Sequence, residues 1–225
     1  MSYLGIDTSA AVAVAVVADD GTTRTLVDAA PRRHVEHLAP LVVRALAEAG
    51  TDAAELRGVA VGTGPAPFTG LRVGLVTARV LGLARGIPVW GVPSLDALAA
   101  TAAVALPAGT SLLVVTDARR HEVYWARYVV RDGGADLVAG PDVAAPADVP
   151  RVDGEVVVGA GRDGYPDVLG TSPLPEGLGG LVLDPARLVG LALERRDAGA
   201  DQPVDPLYLR RPDAQPPAAR KRVLA

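Results

Sequence analysis

The feature that most constrains the fold is a pattern of strands and aspartates that occurs twice along the chain. In the first half, a short apolar run over residues 3–6 ends at Asp7, and a longer run of alanine and valine follows and closes at Asp-Asp-Gly. In the second half, an apolar run over 111–116 ends at Asp117, and a strand pattern over 122–130 closes at Asp-Gly-Gly. This repetition predicts a duplicated domain.

Strand and helix patterns alternate through the rest of the first half. The successive elements lie over 22–27, 34–49, 58–62, 69–85, 88–92 and 94–106. Tight turns make the first three strands antiparallel neighbours, whereas the helices between later strands predict parallel pairing. The resulting order βββαβαβα predicts a ribonuclease-H-like domain with a mixed sheet.

The second half repeats this plan less regularly. We predict a first domain over 1–106 and a smaller, degenerate second domain over 107–225 that ends in a tail. In the second domain, 141–150 is predicted as a loop with at most a short helix, and 185–196 as a helix with Asp184 at its N-cap. Two ribonuclease-H-like domains in tandem define an α/β fold of the ASKHA type, the architecture of actin, Hsp70 and sugar kinases, which bind ATP between the domains.

Composition argues against several classes of protein. The formal net charge of −4 argues against a chain that holds nucleic acid mainly through its own electrostatic field. Cysteine is absent, which removes disulfides and thiolate chemistry. No apolar run approaches the roughly 20 residues needed to span a bilayer, and the N-terminal residues lack the pattern of a secretory signal. A cytoplasmic protein without a membrane association is therefore expected.

Asp7 and Asp117 follow equivalent strands and are candidates for a nucleotide site. In ATP-binding proteins of this architecture such turns face the phosphates, and their aspartates hold the metal and water. Asp7, Thr8, Ser9 and Asp117 are therefore candidate residues of a nucleotide cleft. An equally supported alternative is that each aspartate caps its own turn by accepting backbone N–H groups. The first turn contains no glycine to let a phosphate approach the backbone, which weakens a kinase interpretation.

The helix predicted over 69–85 carries the clearest sign of a protein interface. Gly70, Gly74, Ala78 and Gly82 are spaced four apart and form a ridge without side-chain bulk, against which another element can pack closely. The polar stripe of this helix is narrow, so two of its sides need cover. The preceding helix of the same chain supplies part of that cover, and we favour a protein interface formed by the helix pair. The predicted interface residues are Val35, Leu38, Val42, Gly70, Gly74, Leu75, Ala78 and Gly82.

Five segments carry a family resemblance that covers nearly the whole chain. They are IDTS at 6–9, RHVEHL at 33–38, GPxxFTGLRVG at 64–74, DARRHEVY at 117–124 and PLYLR at 206–210. Ala66 and Pro67 depart from the usual Gly-Ser of the third segment. Together they resemble the TsaB (YeaZ) family of bacterial threonylcarbamoyladenosine proteins.

The resemblance implies a noncatalytic dimerisation subunit of the bacterial tRNA threonylcarbamoyl transferase complex, which is required to modify the tRNA adenosine adjacent to the anticodon. It implies the related catalytic subunit TsaD as partner in a heterodimer, joined through the first two helices as a four-helix bundle. The ATPase TsaE and tRNA would join through the complex. TsaD binds metal through a His-x-x-x-His helix, and Ser94 and Leu98 would stand at those two positions here. No catalytic site, metal or cofactor is expected in the lone subunit, since ATP and metal belong to the partner subunits.

Two other functions are considered. A stand-alone metallopeptidase is suggested by similarity to the glycoprotease group, and the missing histidine pair opposes it. An ASKHA-type ATPase acting alone is suggested by the fold, and the glycine-poor first turn opposes it. The sequence leaves open whether the lone chain forms a homodimer and whether its terminal basic residues contact tRNA or stay solvated. These basic residues are Arg210, Arg211, Arg220, Lys221 and Arg222.

Overall fold

A five-stranded mixed sheet organises the first half of the chain. It is seen in a computed structural model that describes residues 1–28 and 34–210, with the backbone alone for 34–36. The strands are β1 (Ser2–Asp7), β2 (Val12–Ala18), β3 (Thr23–Asp28), β4 (Leu56–Gly62) and β5 (Val89–Val92). In the order β3-β2-β1-β4-β5, the first three strands pair antiparallel, and β4 pairs parallel with β1 and β5. The predicted change from antiparallel to parallel pairing is confirmed.

A four-stranded sheet in the second half follows the same plan. Its strands are β6 (Ser111–Arg119), β7 (Glu122–Arg131), β8 (Gly134–Ala144) and β9 (Val156–Val158), in the order β8-β7-β6-β9. Strand β6 pairs antiparallel with β7 and parallel with β9, just as β1 pairs with β2 and β4. This equivalence of β1 and β6 confirms two ribonuclease-H-like domains with mixed sheets in the ASKHA arrangement.

Strand β8 is longer than the sequence predicts. The predicted loop over 141–150 is wrong in its first part, because β8 continues past Pro141 to Ala144. The register with β7 shifts at this point, from Arg127↔Ala139 to Trp125↔Asp142, which is the pattern of a bulge. Because β8 is an edge strand, a residue without a backbone N–H can lie in it where no neighbour needs that donor.

Six α-helices lie within the described residues and pack around the two sheets. They are α1 (His34–Glu48), α2 (Phe68–Arg85), α3 (Ser94–Ala103), α4 (Ala160–Gly164), α5 (Pro166–Leu169) and α6 (Pro185–Asp197). Asp184 caps α6 as predicted, since its Oδ1 accepts the backbone N–H of Ala186 at 3.0 Å. No helix within the described ranges is both long and apolar enough to cross a membrane.

The helices are exchanged between the two sheets. Helices α1 and α2 cover the outer face of the first sheet, and α4 contacts the outer face of the second. Between the sheets, α6 lies against the first sheet although it follows the second in sequence, and α3 lies against the second although it follows the first. The two helices also pack on each other, and their apolar side chains form one core with both sheets. The strands of the first sheet thus all precede those of the second along the chain, whereas the helices do not follow that division.

A polar contact fixes the central helices to the second sheet. The hydroxyl of Tyr128 on β7 donates to Asp96 Oδ1 on α3 at 2.8 Å, and Arg195 on α6 donates to Asp96 Oδ2 at 2.6 Å. Burial, together with the negative charge of Asp96, raises the pKa of Tyr128 above its ordinary range. Tyr128 therefore keeps its proton and remains a donor at physiological pH.

Candidate functional site

The turns after β1 and β6 open onto one cleft between the two halves. The cleft has a volume of about 640 Å³. All four candidate residues of the nucleotide cleft line it: Asp7, Thr8, Ser9 and Asp117. The loop before α2 and the start of α3 form another part of its wall. The structure thus brings together the two aspartates that the sequence places more than a hundred residues apart.

The carboxylate of Asp7 is engaged by groups of this chain. Asp7 Oδ1 accepts the backbone N–H of Ser9 at 2.8 Å and its hydroxyl at 2.6 Å. Asp7 Oδ2 accepts the hydroxyl of Ser94 at 2.6 Å. A Cβ at Gly62 would lie 1.9 Å from Asp7 Oδ2, so only glycine leaves room for the carboxylate there. Asp7 therefore caps its own turn and also joins β1 to α3.

Ser94 connects three elements around the cleft and is not the N-cap of α3. The N-cap residue is Pro93, and Ser94 is the first helical residue. The Ser94 hydroxyl donates to Asp7 and accepts the backbone N–H of Gly64 at 3.1 Å, while the Ser94 N–H donates to the Gly64 carbonyl at 2.7 Å. The position that the family resemblance equates with a metal-binding histidine is therefore occupied by a side chain that fixes the loop before α2.

Thr8 is bound to the first turn of α2. Its hydroxyl donates to the carbonyl of Gly70 at 2.8 Å and accepts the backbone N–H of Gly74 at 3.2 Å. Thr8 is buried, so both contacts are shielded from water. The hydroxyl therefore serves to dock α2 on the end of β1.

Asp117 caps the turn that leads from β6 into β7. Its Oδ1 accepts the backbone N–H of Arg119 at 2.8 Å, and the two side chains form an ion pair at 3.2 Å. Arg119, Arg120 and His121 all have left-handed φ angles, of 64°, 53° and 61°. Because side chains disfavour that region, this turn holds backbone strain at the edge of the cleft.

The charged side chains of the cleft are mostly acidic. Asp7, Asp117 and Asp163 line it, and Arg119 is the one basic residue among the described lining residues. Arg119 is already paired with Asp117. A triphosphate entering this cleft would meet more negative than positive charge, so it would require added cations.

The small-residue ridge of α2 faces the chain's own sheet. A Cβ at Gly74 would lie 2.5 Å from Thr8 Oγ1, and one at Gly82 would lie 2.3 Å from Val89 Cγ2 on β5. Ala78, on the same ridge, is fully buried. The expectation that these three residues contact a partner is corrected, because close packing of α2 on the sheet already uses the space that the ridge leaves.

The other predicted interface residues also point inward or lie outside the description. Leu38 and Val42 on α1 and Leu75 on α2 are buried in the core between these helices and the first sheet. Gly70 is half-buried at the start of α2. For Val35 the described part of the chain includes only the backbone.

A different face of α2 is exposed and apolar. Val76 is 57% exposed, Val80 59% and Leu83 87%. Their spacing of four and three residues places them on one side of the helix, opposite the ridge. We refer to Val76, Val80 and Leu83 as the apolar stripe. The sequence analysis placed the ridge in an interface with a partner, whereas the ridge packs on the chain's own sheet and the apolar stripe is the exposed side of α2.

The packing of the ridge gives a testable expectation for two helical glycines. Gly74→Ala is expected to lower the free energy of unfolding by about 1–3 kcal/mol, because the new methyl group overlaps the Thr8 hydroxyl. Gly190→Ala in α6 is the matched control, since nothing lies within 4 Å of the added carbon. It is expected to raise the free energy of unfolding by about 0.5–1 kcal/mol. Urea denaturation measures both, and stabilisation of both variants would contradict the packing described.

The tandem domains, with a cleft between them, define a protein of the ASKHA structural class. Residues 28–159 match the family model described as TsaD, tRNA N6-adenosine threonylcarbamoyltransferase. The Escherichia coli protein named tRNA threonylcarbamoyladenosine biosynthesis protein TsaB is 31% identical over 221 residues, covering 93% of this chain and 95% of that protein. The solved structure of YeaZ from Pseudomonas aeruginosa matches with a TM-score of 0.79 and 28% identity, covering 92% of this chain and 99% of that one. The chain belongs to the TsaB family of tRNA threonylcarbamoyladenosine biosynthesis proteins.

A mycobacterial relative is longer than this chain. An uncharacterized protein of Mycobacterium leprae is 45% identical over 224 residues, which cover 95% of this chain and 56% of that protein. The chain thus spans little more than half the length of that relative.

Proposed function

We propose that this chain is the noncatalytic dimerisation subunit of the bacterial complex that transfers threonylcarbamoyl to the tRNA adenosine adjacent to the anticodon. Its partner in this proposal is TsaD, and TsaE and tRNA join through the complex. The observation that carries the proposal is the apolar stripe on α2, Val76, Val80 and Leu83, which is left uncovered in a chain of the TsaB family.

The energetics of the stripe favour cover by another protein. Full burial of one valine or leucine side chain contributes roughly 1.5–3 kcal/mol. Three side chains that are more than half exposed therefore offer several kcal/mol to a partner that excludes water from them. Aliphatic side chains at consecutive turns of one helix fit the groove of a second helix.

The family relationship supports TsaD as the chain that supplies that second helix. The TsaD model matches residues 28–159, a range that includes both α1 and α2. A TsaD chain would then present a related helix pair, and two such pairs can join by approximate two-fold symmetry into a four-helix bundle. The proposed interface therefore consists of the outward faces of α1 and α2, and the predicted residues Leu38, Val42, Leu75 and Ala78 support those faces from beneath.

The noncatalytic part of the proposal is supported by the cleft. Ser94 and Leu98 stand where the resemblance places the two metal-binding histidines. The Ser94 hydroxyl bonds Asp7 and Gly64, and the Leu98 side chain is apolar and buried. ATP and metal are accordingly assigned to the partner subunits.

A reconstitution experiment tests the proposal. The purified chain is mixed with TsaD and analysed by size-exclusion chromatography with light scattering. Transfer from threonylcarbamoyl adenylate to tRNA is then measured with TsaD and TsaE in the presence and absence of the chain. We expect a heterodimer, and threonylcarbamoylation only when the chain is present. Separate elution from TsaD would contradict the proposal. ATP hydrolysis by the lone chain would favour the ATPase instead, and peptide hydrolysis would favour the metallopeptidase. The molar mass of the chain measured without TsaD shows whether it forms a homodimer.

A further inference from the structure

The segment 202–210, which we name the C-terminal strap, follows α6 after a short connection and passes β5 and the end of β4 toward the second half, where Arg210 pairs with Glu122. Beside β5, the N–H of Gly91 donates to the Gln202 carbonyl at 3.1 Å, and the N–H of Leu207 donates to the Thr63 carbonyl at 2.8 Å. A Cβ at Gly91 would lie 2.0 Å from the Pro203 carbonyl oxygen, so the strap lies directly on the strand. These contacts hold the strap against β5 and the end of β4.

The strap also binds the two arginines on the outer face of α2. Arg79 donates to the Val204 carbonyl at 2.7 Å and to Asp205 Oδ1 at 2.8 Å. Arg72 Nε donates to the hydroxyl of Tyr208 at 2.8 Å, and its guanidinium lies 5.7 Å from the centre of the Tyr208 ring. Both cations of this face are therefore oriented by the strap.

These arginines lie within the surface that a partner helix would cover. Arg72, Val76, Arg79 and Leu83 follow one another at steps of four and three residues, and Val80 lies beside them, so all belong to one side of α2. A helix is about 10 Å wide with its side chains. One that docks on the apolar stripe must therefore approach both guanidinium groups.

Covering an unpaired guanidinium with apolar side chains is unfavourable, because the charge loses its water without gaining a partner. In this chain Arg79 is paired with the carboxylate of Asp205, and Arg72 contacts the hydroxyl and the ring of Tyr208. The strap thereby removes the need for acidic groups on the opposing helix and fixes two long side chains before binding.

We propose that the C-terminal strap is part of the partner-binding surface, in which Asp205 and Tyr208 hold Arg79 and Arg72 so that an apolar helix of the partner can cover the face between them. This inference rests on the proposed function and takes TsaD as the occupant. Asp205 and Tyr208 are positioning residues, since they act through the arginines.

A double-mutant cycle on Asp205 and Arg79 tests the inference with TsaD as the probe. Asp205→Ala is expected to weaken the affinity about tenfold, because Arg79 must then be covered without its carboxylate. The double variant Arg79→Ala with Asp205→Ala is expected to recover affinity to within about threefold of the original chain, since no unpaired cation remains. Isothermal titration calorimetry measures all corners of the cycle. Unchanged affinity of Asp205→Ala, or a double variant as weak as Asp205→Ala, would overturn the inference.

Two controls separate this inference from the proposed function. Asp201→Ala removes another exposed carboxylate of the C-terminal region and is expected to leave affinity unchanged. Val80→Arg tests the interface itself. If Val80→Arg abolishes binding and Asp205→Ala does not change it, only the role of the strap fails. If neither variant changes binding to TsaD, the proposed interface on α2 is wrong as well. If the Asp205 and Arg79 variants instead change the dimerisation constant of the lone chain in the same pattern, the occupant of the surface is a second copy of this chain.

Discussion

Val80→Arg is expected to weaken association with TsaD by at least about 100-fold while the chain stays folded. Val80 lies in the middle of the apolar stripe and is 59% exposed in the free chain, so an arginine there meets water and not the core. In the proposed complex the same side chain would face apolar groups of a partner helix. Enclosing an unpaired charge at the centre of an interface costs several kcal/mol, and each 1.4 kcal/mol is a factor of ten in affinity.

The matched control for this prediction is Val104→Arg. Val104 follows α3 and is 68% exposed, so it offers a comparable valine at a site away from α2. Its substitution is expected to leave both affinity for TsaD and the free energy of unfolding nearly unchanged. Calorimetric titration gives the affinities, and circular dichroism reports folding. Equal affinities of the Val80 and Val104 variants would remove the apolar stripe from the interface.

The second large effect is expected at Glu155, the residue that precedes β9 in the second sheet. Glu155→Ala is expected to lower the free energy of unfolding by about 3–5 kcal/mol. The side chain is fully buried and accepts Arg127 Nε at 2.9 Å, Arg151 Nε at 2.7 Å and the N–H of Val152 at 3.2 Å. Arg127 is itself almost fully buried, so removal of the carboxylate leaves its charge enclosed without a counter-charge.

Two further variants identify the enclosed charge as the cause. Replacing Arg127 by Met together with Glu155 by Leu is expected to recover most of the lost stability, since an apolar pair of similar volume leaves no enclosed charge, and the remaining cation, Arg151, is partly exposed to water. Glu176→Ala, at an exposed position, is expected to change stability by less than about 0.5 kcal/mol. Urea denaturation of the four proteins decides the matter. A double variant no more stable than Glu155→Ala would show that packing, and not charge, explains the loss.

Local sequence patterns predict much of the fold. The repeated strand and aspartate pattern predicts the equivalence of β1 and β6, because strand length and turn chemistry are local properties of the sequence. The prediction missed the end of β8, which runs through Pro141; a proline is excluded from a central strand but not from an edge strand with a bulge. Whether a strand lies at an edge is decided by the whole sheet, which local patterns do not report.

The site was less predictable than the fold. Asp7 and Asp117 were recognisable as turn residues at a cleft, but the bond from Ser94 to Asp7 spans 87 residues and has no local signal. For α2, the four-residue spacing of small side chains indicates close packing with some neighbour, and a sheet satisfies it as well as a second helix does. The strap carries no periodicity, and its contacts with Arg72 and Arg79 join positions more than 120 residues apart.

The exchange of α3 and α6 between the sheets has a consequence for how the molecule can move and be divided. A fragment cut after residue 106 would lose α6 and bare the inner face of its own sheet, and the remaining piece would lose α3 in the same way. Swinging one half away from the other would have to pull these helices apart within a shared core. A change in the width of the gap between the halves is therefore opposed by the packing of α3 on α6.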